Sequence, residues 1–157
     1  MEIKIRLGRS SEIEEIVKLI NREHEISGAV MKVSSDTVKR WIRSKKSVVA
    51  VSDKKIVGHE ALDLWPESGW AELRSAVVLE DFRGQGIAYK MTRRLLDDFL
   101  SKNHKAIFIA IKNRTERGNK LLLEMGFEEI GLNEVPPELF TIRSNSERRA
   151  FKLEVKE

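Results

Sequence analysis

The sequence predicts a mixed α/β fold in the order β-α-α-β-β-β-α-β-α-β-β, within a single domain over residues 1–157. Three strand-like runs in the middle of the chain are joined by short turns, which is typical of an antiparallel meander. Strands linked by helices follow the meander. We therefore expect a sheet with both parallel and antiparallel neighbours, covered by helices on both faces.

The first part of the chain predicts one strand and two helices. Apolar and polar residues alternate over residues 2–7, which indicates a strand. Ser11 and Glu14 have the spacing of a capping box for the first helix, and Ser35 or Asp36 should cap the second. The apolar faces of the helices consist of Ile13, Ile16, Val17 and Ile20 in the first and Val38, Trp41 and Ile42 in the second.

The remaining elements are separated by glycine, proline and polar turns. Gly126 follows the last apolar position of a helical pattern and should close that helix. In chain order, we expect strands at 47–52, 56–65 and 69–78, a helix from 87 to 100, a strand at 106–111, a helix at 113–125, and strands at 127–132 and 149–155.

Composition excludes several classes of function. The 29 basic and 25 acidic residues are interspersed, which favours a solvated surface over a nucleic-acid-binding stripe. There is no apolar run long enough to cross a membrane. With no cysteine and only three scattered histidines, we expect no disulfide, no metal site and no cysteine nucleophile. We expect a cytoplasmic protein.

A glycine turn, Arg83-Gly84-Gln85-Gly86-Ile87-Ala88, lies between a predicted strand and a helix. Glycines allow positive φ, and the free amides at a helix start bind anions such as a pyrophosphate. The alternative is a tight turn without a ligand. A Rossmann site is disfavoured because the third glycine is missing, and a P-loop lacks its Gly-Lys-Ser/Thr ending.

The spacing Arg83-x-x-Gly86-x-Ala88 after Ala76-Val77-Val78, with Glu124-Met125-Gly126-Phe127 further on, resembles the GNAT superfamily of N-acetyltransferases. The resemblance covers nearly the whole chain in element order and implies the acyl-CoA N-acyltransferase fold. It implies acetyl-CoA as cosubstrate, with pantetheine between two splayed strands. The implied cofactor-binding residues are Val77, Val78, Arg83, Gly84, Gln85, Gly86, Ile87, Ala88, Asn113 and Thr115.

Glu72 is the candidate general base that removes the proton from the amine. It lies six residues before Val78, so in a strand without a bulge both side chains face the same side. Its surroundings resemble the strand of the catalytic glutamate in the family's histone acetyltransferases, and burial there should raise its pKa. The alternative is an ion pair with Arg74. Without a cysteine, we expect direct acetyl transfer in a ternary complex.

A narrower resemblance concerns the acceptor amine. Segments around Glu72-Leu73-Arg74-Ser75, Gly28–Ser34 and Val135–Leu139 are similar to the acetyltransferase domain of N-acetylglutamate synthases. An acidic amino acid has two carboxylates with which basic side chains can pair. The resemblance implies an acidic amino acid as acceptor and the substrate-binding residues Lys32, Arg74, Ser75 and Arg148.

Several points stay open. The basic residues could be ordinary surface charges. Many family members carry a tyrosine that acts as the general acid, and the corresponding residue here is Leu122. The only tyrosine, Tyr89, lies elsewhere, so the general acid is unassigned.

The acceptor could instead be a polyamine, an antibiotic or a protein N-terminus. A non-catalytic module that binds coenzyme A is a further alternative, and a homodimer is also open.

Overall fold

The computed structural model describes residues 2–113, 116–139 and 148–156, and at 113, 116 and 117 it describes the backbone alone. The predicted element order is confirmed, and most boundaries lie within a few residues of the prediction. No helix in the described part of the chain is long and apolar enough to span a membrane. The elements are β1 (Lys4–Leu7), α1 (Ile13–Ser27), α2 (Ser35–Arg43), β2 (Ser47–Ser52), β3 (Lys55–Leu64), β4 (Ala71–Val78), α3 (Ile87–Leu100), β5 (Lys105–Asn113), α4 (Glu116–Glu124), β6 (Glu128–Ile130) and β7 (Arg148–Lys156).

The strands form a sheet in the order β1-β2-β3-β4-β5-β7-β6. β1 pairs with β2, β2 with β3, β5 with β7, and β6 with β7, all antiparallel. β4 and β5 are parallel, and their register covers Ala71–Leu73 against Phe108–Ala110. The prediction of a mixed sheet is therefore confirmed.

The chain divides into two compact units. The first unit comprises the described residues of 1–63 and 74–99, and the second comprises those of 64–73 and 100–157. The boundary passes through β4 between Leu73 and Arg74. The expectation of one domain over the whole chain stays a prediction.

The core of the first unit lies where the apolar faces of α1 and α2 were predicted. Ile16, Ile20 and Val38 are fully buried, and Trp41 is almost so. Val49, Ile56 and Val77 belong to the same apolar cluster. The periodicity of the sequence therefore identified this core, because burial of one helix face dictates the spacing of apolar residues.

Both helix-start predictions are wrong by one or two residues. Ser11 lies inside a 3-10 turn (Ser10–Glu12), and the Glu12 carboxylate accepts a hydrogen bond from the Arg9 amide at 2.9 Å. The Arg6 guanidinium also binds Glu12, at 2.6 Å, so the carboxylate that holds this turn is Glu12 and not Glu14. α2 is capped by Ser34, whose hydroxyl accepts from the Thr37 amide at 3.2 Å, because Ser34 is the last residue with extended backbone.

A buried histidine connects three strands of the first unit. His59 in β3 has no exposed surface, and its Nδ1 donates to the Ser75 carbonyl of β4 at 3.0 Å. Its Nε2 lies 3.0 Å from the Ser47 hydroxyl of β2. A carbonyl only accepts, so Nδ1 carries the proton and Nε2 accepts from Ser47. His59 is therefore a hydrogen-bonded histidine of the core.

The carbonyl that His59 holds belongs to an irregular residue. Ser75 has a φ of 55°, which departs from extended backbone in the middle of β4 and is typical of a bulge. A positive φ at a residue with a side chain costs free energy and persists only when the surroundings fix it. The Trp41 indole stacks on the imidazole with centroids 5.7 Å apart, so the donor that fixes Ser75 is itself held in place.

The second unit has its own apolar core. It contains Ile109, Ile111 and Ala150 from β5 and β7, together with Val135 and Leu139. The indoles of Trp65 and Trp70 pack against this cluster. Gly126 follows the end of α4, and its φ of 98° is the left-handed conformation expected after a helix.

The buried imidazole predicts a pH dependence of stability. Burial lowers the pKa of His59 from 6.5 to about 4, although its hydrogen bond to Ser75 opposes the shift. Between these values the unfolded chain binds a proton that the folded chain does not, so stability falls as the pH falls from 6.5 to about 4. The loss should reach about 3 kcal/mol. Urea unfolding across this pH range measures it.

His59→Gln removes this titration, so the pH profile of that variant should be flatter than that of the parent by the same amount. His104→Gln changes an exposed histidine and serves as the matched control, with a profile like that of the parent. Parallel profiles for the parent and His59→Gln would contradict the account.

Candidate functional site

The glycine turn of the first unit presents a row of amides at the start of α3. Gly84 and Gly86 have φ of 82° and 77°, which a residue with a side chain rarely adopts. The Gly86 carbonyl accepts from the Lys90 amide at 3.1 Å, so helical bonding begins at Gly86. Within the described residues, none of the amides from Gly84 to Ala88 donates a hydrogen bond to the protein. Such an array, with the positive end of the helix dipole, favours an anion.

Arg83 joins this turn to two other elements of the first unit. Its Nε donates to the Val78 carbonyl at the end of β4 at 2.9 Å. Its Nη2 lies 3.4 Å from the Glu23 carboxylate of α1. These contacts attach the start of the turn to the end of β4 and to α1. Glu23 was not predicted from the sequence, because the partner of Arg83 lies 60 residues away.

Arg74 and Asp63 form a second polar cluster in the first unit. The Arg74 guanidinium donates to Asp63 at 2.7 Å, and the Trp41 indole and the Arg40 guanidinium donate to the other carboxylate oxygen, each at 2.8 Å. Burial disfavours ionisation of Asp63, but these hydrogen bonds and the charges of the arginines outweigh it and lower its pKa. Asp63 is therefore a structural carboxylate. The alternative reading of an ion pair between Arg74 and Glu72 is wrong, because Arg74 is paired with Asp63.

Glu72 is a buried carboxylate of the second unit. Its side chain is 2% exposed, and its Oε1 accepts from the Trp65 indole at 3.0 Å. Trp65 is held in the turn after β3, where its amide donates to the Trp70 carbonyl at 2.9 Å. The Glu138 carboxylate accepts from the Ser68 amide of the same turn at 2.7 Å. Glu72 is therefore a buried carboxylate oriented by the Trp65 indole.

One argument that supported Glu72 does not hold. The side chains of Glu72 and Val78 lie on the same face of β4 only if the strand contains no bulge. The positive φ of Ser75 lies between these two residues and interrupts the alternation of side chains. The candidacy of Glu72 therefore depends on its burial and on its contact with Trp65.

The other predicted residues lie in varied surroundings. Lys32 is exposed, Ser75 contributes its carbonyl to His59, and Arg148 lies partly buried at the start of β7. Asn113 ends β5, where only its backbone is described, and Thr115 lies outside the described residues. Leu122 is 3% exposed and packs in the core, whereas Tyr89 is largely exposed.

Residues 13–127 match the acetyltransferase (GNAT) family. The chain is also 30% identical over 86 residues to an N-acetylaspartate synthetase of Danio rerio, and 31% identical over 86 residues to one of Rattus norvegicus. Each match covers 55% of this chain and about 30% of the relative, so the chain spans under a third of these relatives.

Among solved structures, the fold is similar to an N-acetylglutamate synthase from Neisseria gonorrhoeae complexed with coenzyme A and N-acetyl-glutamate. The TM-score is 0.83 at 19% identity, over all of this chain and 36% of that one. A ribosomal-protein-alanine N-acetyltransferase from Brucella melitensis has a TM-score of 0.75 at 17% identity, over 97% of this chain and 99% of that one.

The family match covers most of the chain and includes the glycine turn with its free amides. The fold has the element order that the sequence motifs implied. This chain therefore belongs to the acetyltransferase (GNAT) family, whose cosubstrate is acetyl-CoA.

Proposed function

We propose that this chain transfers the acetyl group of acetyl-CoA directly to the α-amino group of an acidic amino acid, aspartate or glutamate. The catalytic part of this proposal is supported mainly by the position of Glu72. Its carboxylate is buried, with the residue 2% exposed, and is oriented by the Trp65 indole. The acceptor is supported by the curated relatives, which are named N-acetylaspartate synthetases. The fold neighbour that binds N-acetyl-glutamate agrees with an acidic amino acid.

The cofactor is bound mainly by backbone groups of the first unit. The amides from Gly84 to Ala88 have no partner within the described residues, so they donate to the pyrophosphate without breaking an existing bond. The backbone of Val77 and Val78 pairs with pantetheine. Arg83 keeps the turn and the end of β4 together through its bond to the Val78 carbonyl.

Glu72 acts as the general base. The amine arrives mostly protonated, because the ordinary pKa of an α-amino group lies above neutral pH. The carboxylate takes the proton, the amine nitrogen attacks the thioester carbonyl carbon, and the bond to sulfur breaks when the tetrahedral intermediate collapses. The Val78 amide polarises the carbonyl oxygen during attack. The amine nitrogen then loses a second proton, and the departing thiolate of coenzyme A takes it up.

The sequence resemblance to N-acetylglutamate synthases supports Lys32, Ser75 and Arg148 as acceptor-binding residues. Arg74 has a different role in this proposal, because Asp63 already neutralises its charge at 2.7 Å. We assign Arg74 to positioning within the cluster of Trp41 and Asp63. A peptide N-terminus is the second candidate acceptor, since the chain shares its fold with a ribosomal-protein-alanine N-acetyltransferase.

A panel of amines tests the acceptor. We expect kcat/KM for aspartate or glutamate to exceed that for neutral amino acids, polyamines and an alanine-terminated peptide by at least about tenfold, since pairing a second carboxylate contributes over about 1.4 kcal/mol. Release of the thiol of coenzyme A measures the rate. Equal rates across the panel, or a preference for the peptide, would reject an acidic amino acid as acceptor.

Gly86→Ala tests the cofactor turn. The added methyl group enters open space above the turn, where nothing of the protein lies within 4 Å. We expect the Kd for coenzyme A to rise at least about tenfold, because the methyl group occupies the approach of the pyrophosphate. Stability should fall by about 1 kcal/mol because of the positive φ. Calorimetric titration and urea unfolding measure the two effects.

Gly28→Ala is the matched control for Gly86→Ala. Gly28 has a φ of 68° and equally open surroundings at the end of α1. It should lose a similar amount of stability and keep its affinity for coenzyme A. Equal losses of affinity in both variants would show that backbone strain, and not the approach of the cofactor, causes the effect.

Glu72→Gln tests the base. The amide oxygen of glutamine still accepts from Trp65, so the fold and the affinity for coenzyme A should persist. We expect kcat to fall by about 10²- to 10⁴-fold at neutral pH, with a smaller deficit at high pH where the amine is already neutral. Glu60→Gln changes another buried glutamate, one that accepts from Thr92, and should keep kcat. An unchanged kcat in Glu72→Gln would exclude this base.

A further inference from the structure

The second unit contains a cavity of about 430 Å³, and Arg148, an acceptor-binding residue of the proposed function, forms part of its lining. Asn119 of α4, the residues that follow β6, and Arg148 at the start of β7 line it. Its volume lies within the range of pockets that hold small molecules. Ile130 and Leu132 supply apolar walls, so the polar groups of the cavity are few and distinct.

Asn119 is the unusual residue of this cavity. It is 4% exposed, and within the described residues no protein group is hydrogen-bonded to its amide nitrogen or amide oxygen. A buried amide without partners destabilises a protein, so it is expected where a bound molecule completes its hydrogen bonds. Asn119 lies three residues before the buried Leu122, on the helix face that packs inward, where an apolar residue would be more stable.

The charge of the cavity favours an anion. The Arg149 guanidinium is paired with the Glu129 carboxylate at 2.8 Å. Within the described part of the chain, the Arg148 side chain has no hydrogen bond or ion pair. Two guanidinium groups and one carboxylate leave one net positive charge among the lining residues.

We propose that this cavity binds a small carboxylic acid that also carries an N–H group, as an amino acid does. Arg148 pairs with a carboxylate of the ligand. The Asn119 amide nitrogen donates to an oxygen of the ligand, and the Asn119 amide oxygen accepts from its N–H group. The assignment of Asn119 is made from its burial and its unpaired groups. Only the identification of the ligand with the acetyl acceptor rests on the proposed function.

Calorimetric titration tests the site without catalysis. Aspartate, glutamate and succinate are titrated into the protein saturated with coenzyme A, so that no acetyl group can be transferred. Asn119→Leu and Arg148→Met should each weaken binding of the preferred amino acid at least about tenfold. Succinate, which lacks the N–H group, should bind more weakly than either amino acid. Lys120→Leu, at an exposed position of the same helix, should keep the parent affinity.

The stability of Asn119→Leu separates a ligand-binding role from a structural one. Removal of the unpaired buried amide should raise Tm by about 2–4 °C while binding is lost. Two results overturn the proposal: the parent protein binds none of the acids, or Asn119→Leu and Arg148→Met both retain the parent affinity.

Steady-state kinetics of Asn119→Leu distinguish the two sources of such a ligand. A higher KM for the amino acid, with kcat and the KM for acetyl-CoA unchanged, identifies the ligand as the acceptor. Unchanged kinetics together with lost binding identify an amino acid that binds without being acetylated. If the parent binds amino acids in the cavity and acetylates none, the proposed function fails while the binding site stands.

Discussion

The first unit depends on a neutral imidazole that holds an irregular backbone in place. His59 has one donor and one acceptor, and it uses them to join the Ser75 carbonyl to the Ser47 hydroxyl. A charged imidazole would have two donors, so the Ser47 hydroxyl would have to rotate and accept from Nε2 instead of donating to it. Burial keeps the imidazole neutral over the physiological pH range, and the hydrogen bond from its Nδ1 to the Ser75 carbonyl stabilises the left-handed conformation of Ser75.

The residues around His59 make further polar contacts that connect distant parts of the sequence. Trp41 stacks on His59 and donates to Asp63, which also binds Arg74 immediately before Ser75. After β4, Arg83 binds the Val78 carbonyl. The segment from Arg74 to Arg83 is thus fixed at both of its ends, and the free amides begin directly after it. A turn that must receive an anion without rearrangement requires this kind of support.

The order of elements could be predicted from the sequence because it depends on local patterns. Alternation in the strands, helical spacing of apolar residues, and the glycines at 84, 86 and 126 are all visible in short windows. Contacts between distant residues could not be predicted in this way. The partners of Glu72, Arg74 and Arg83 required the tertiary fold, and the choice of Asp63 over Glu72 as the partner of Arg74 changed the role proposed for that arginine.

Two further features of the structure differ in how clearly the sequence indicates them. Left-handed residues are usually glycine or asparagine, so the sequence does not indicate a left-handed conformation at Ser75. A hydrogen bond from the distant His59 stabilises this conformation. Asn119 could have been noticed as a polar residue on the apolar face of α4, three residues from Leu122. The turn from Arg83 to Ala88 was the clearest functional feature of the sequence, and its unpaired amides agree with that prediction.

The central claim is that the amides from Gly84 to Ala88 bind the pyrophosphate of acetyl-CoA. A crystal structure of the chain with coenzyme A tests it most directly. The account predicts that pyrophosphate oxygens lie within hydrogen-bond distance of at least three of these amides, about 2.7–3.2 Å from nitrogen to oxygen. It also predicts that the bond from Arg83 to the Val78 carbonyl is kept. A pyrophosphate bound elsewhere, with these amides exposed to water, would contradict the account.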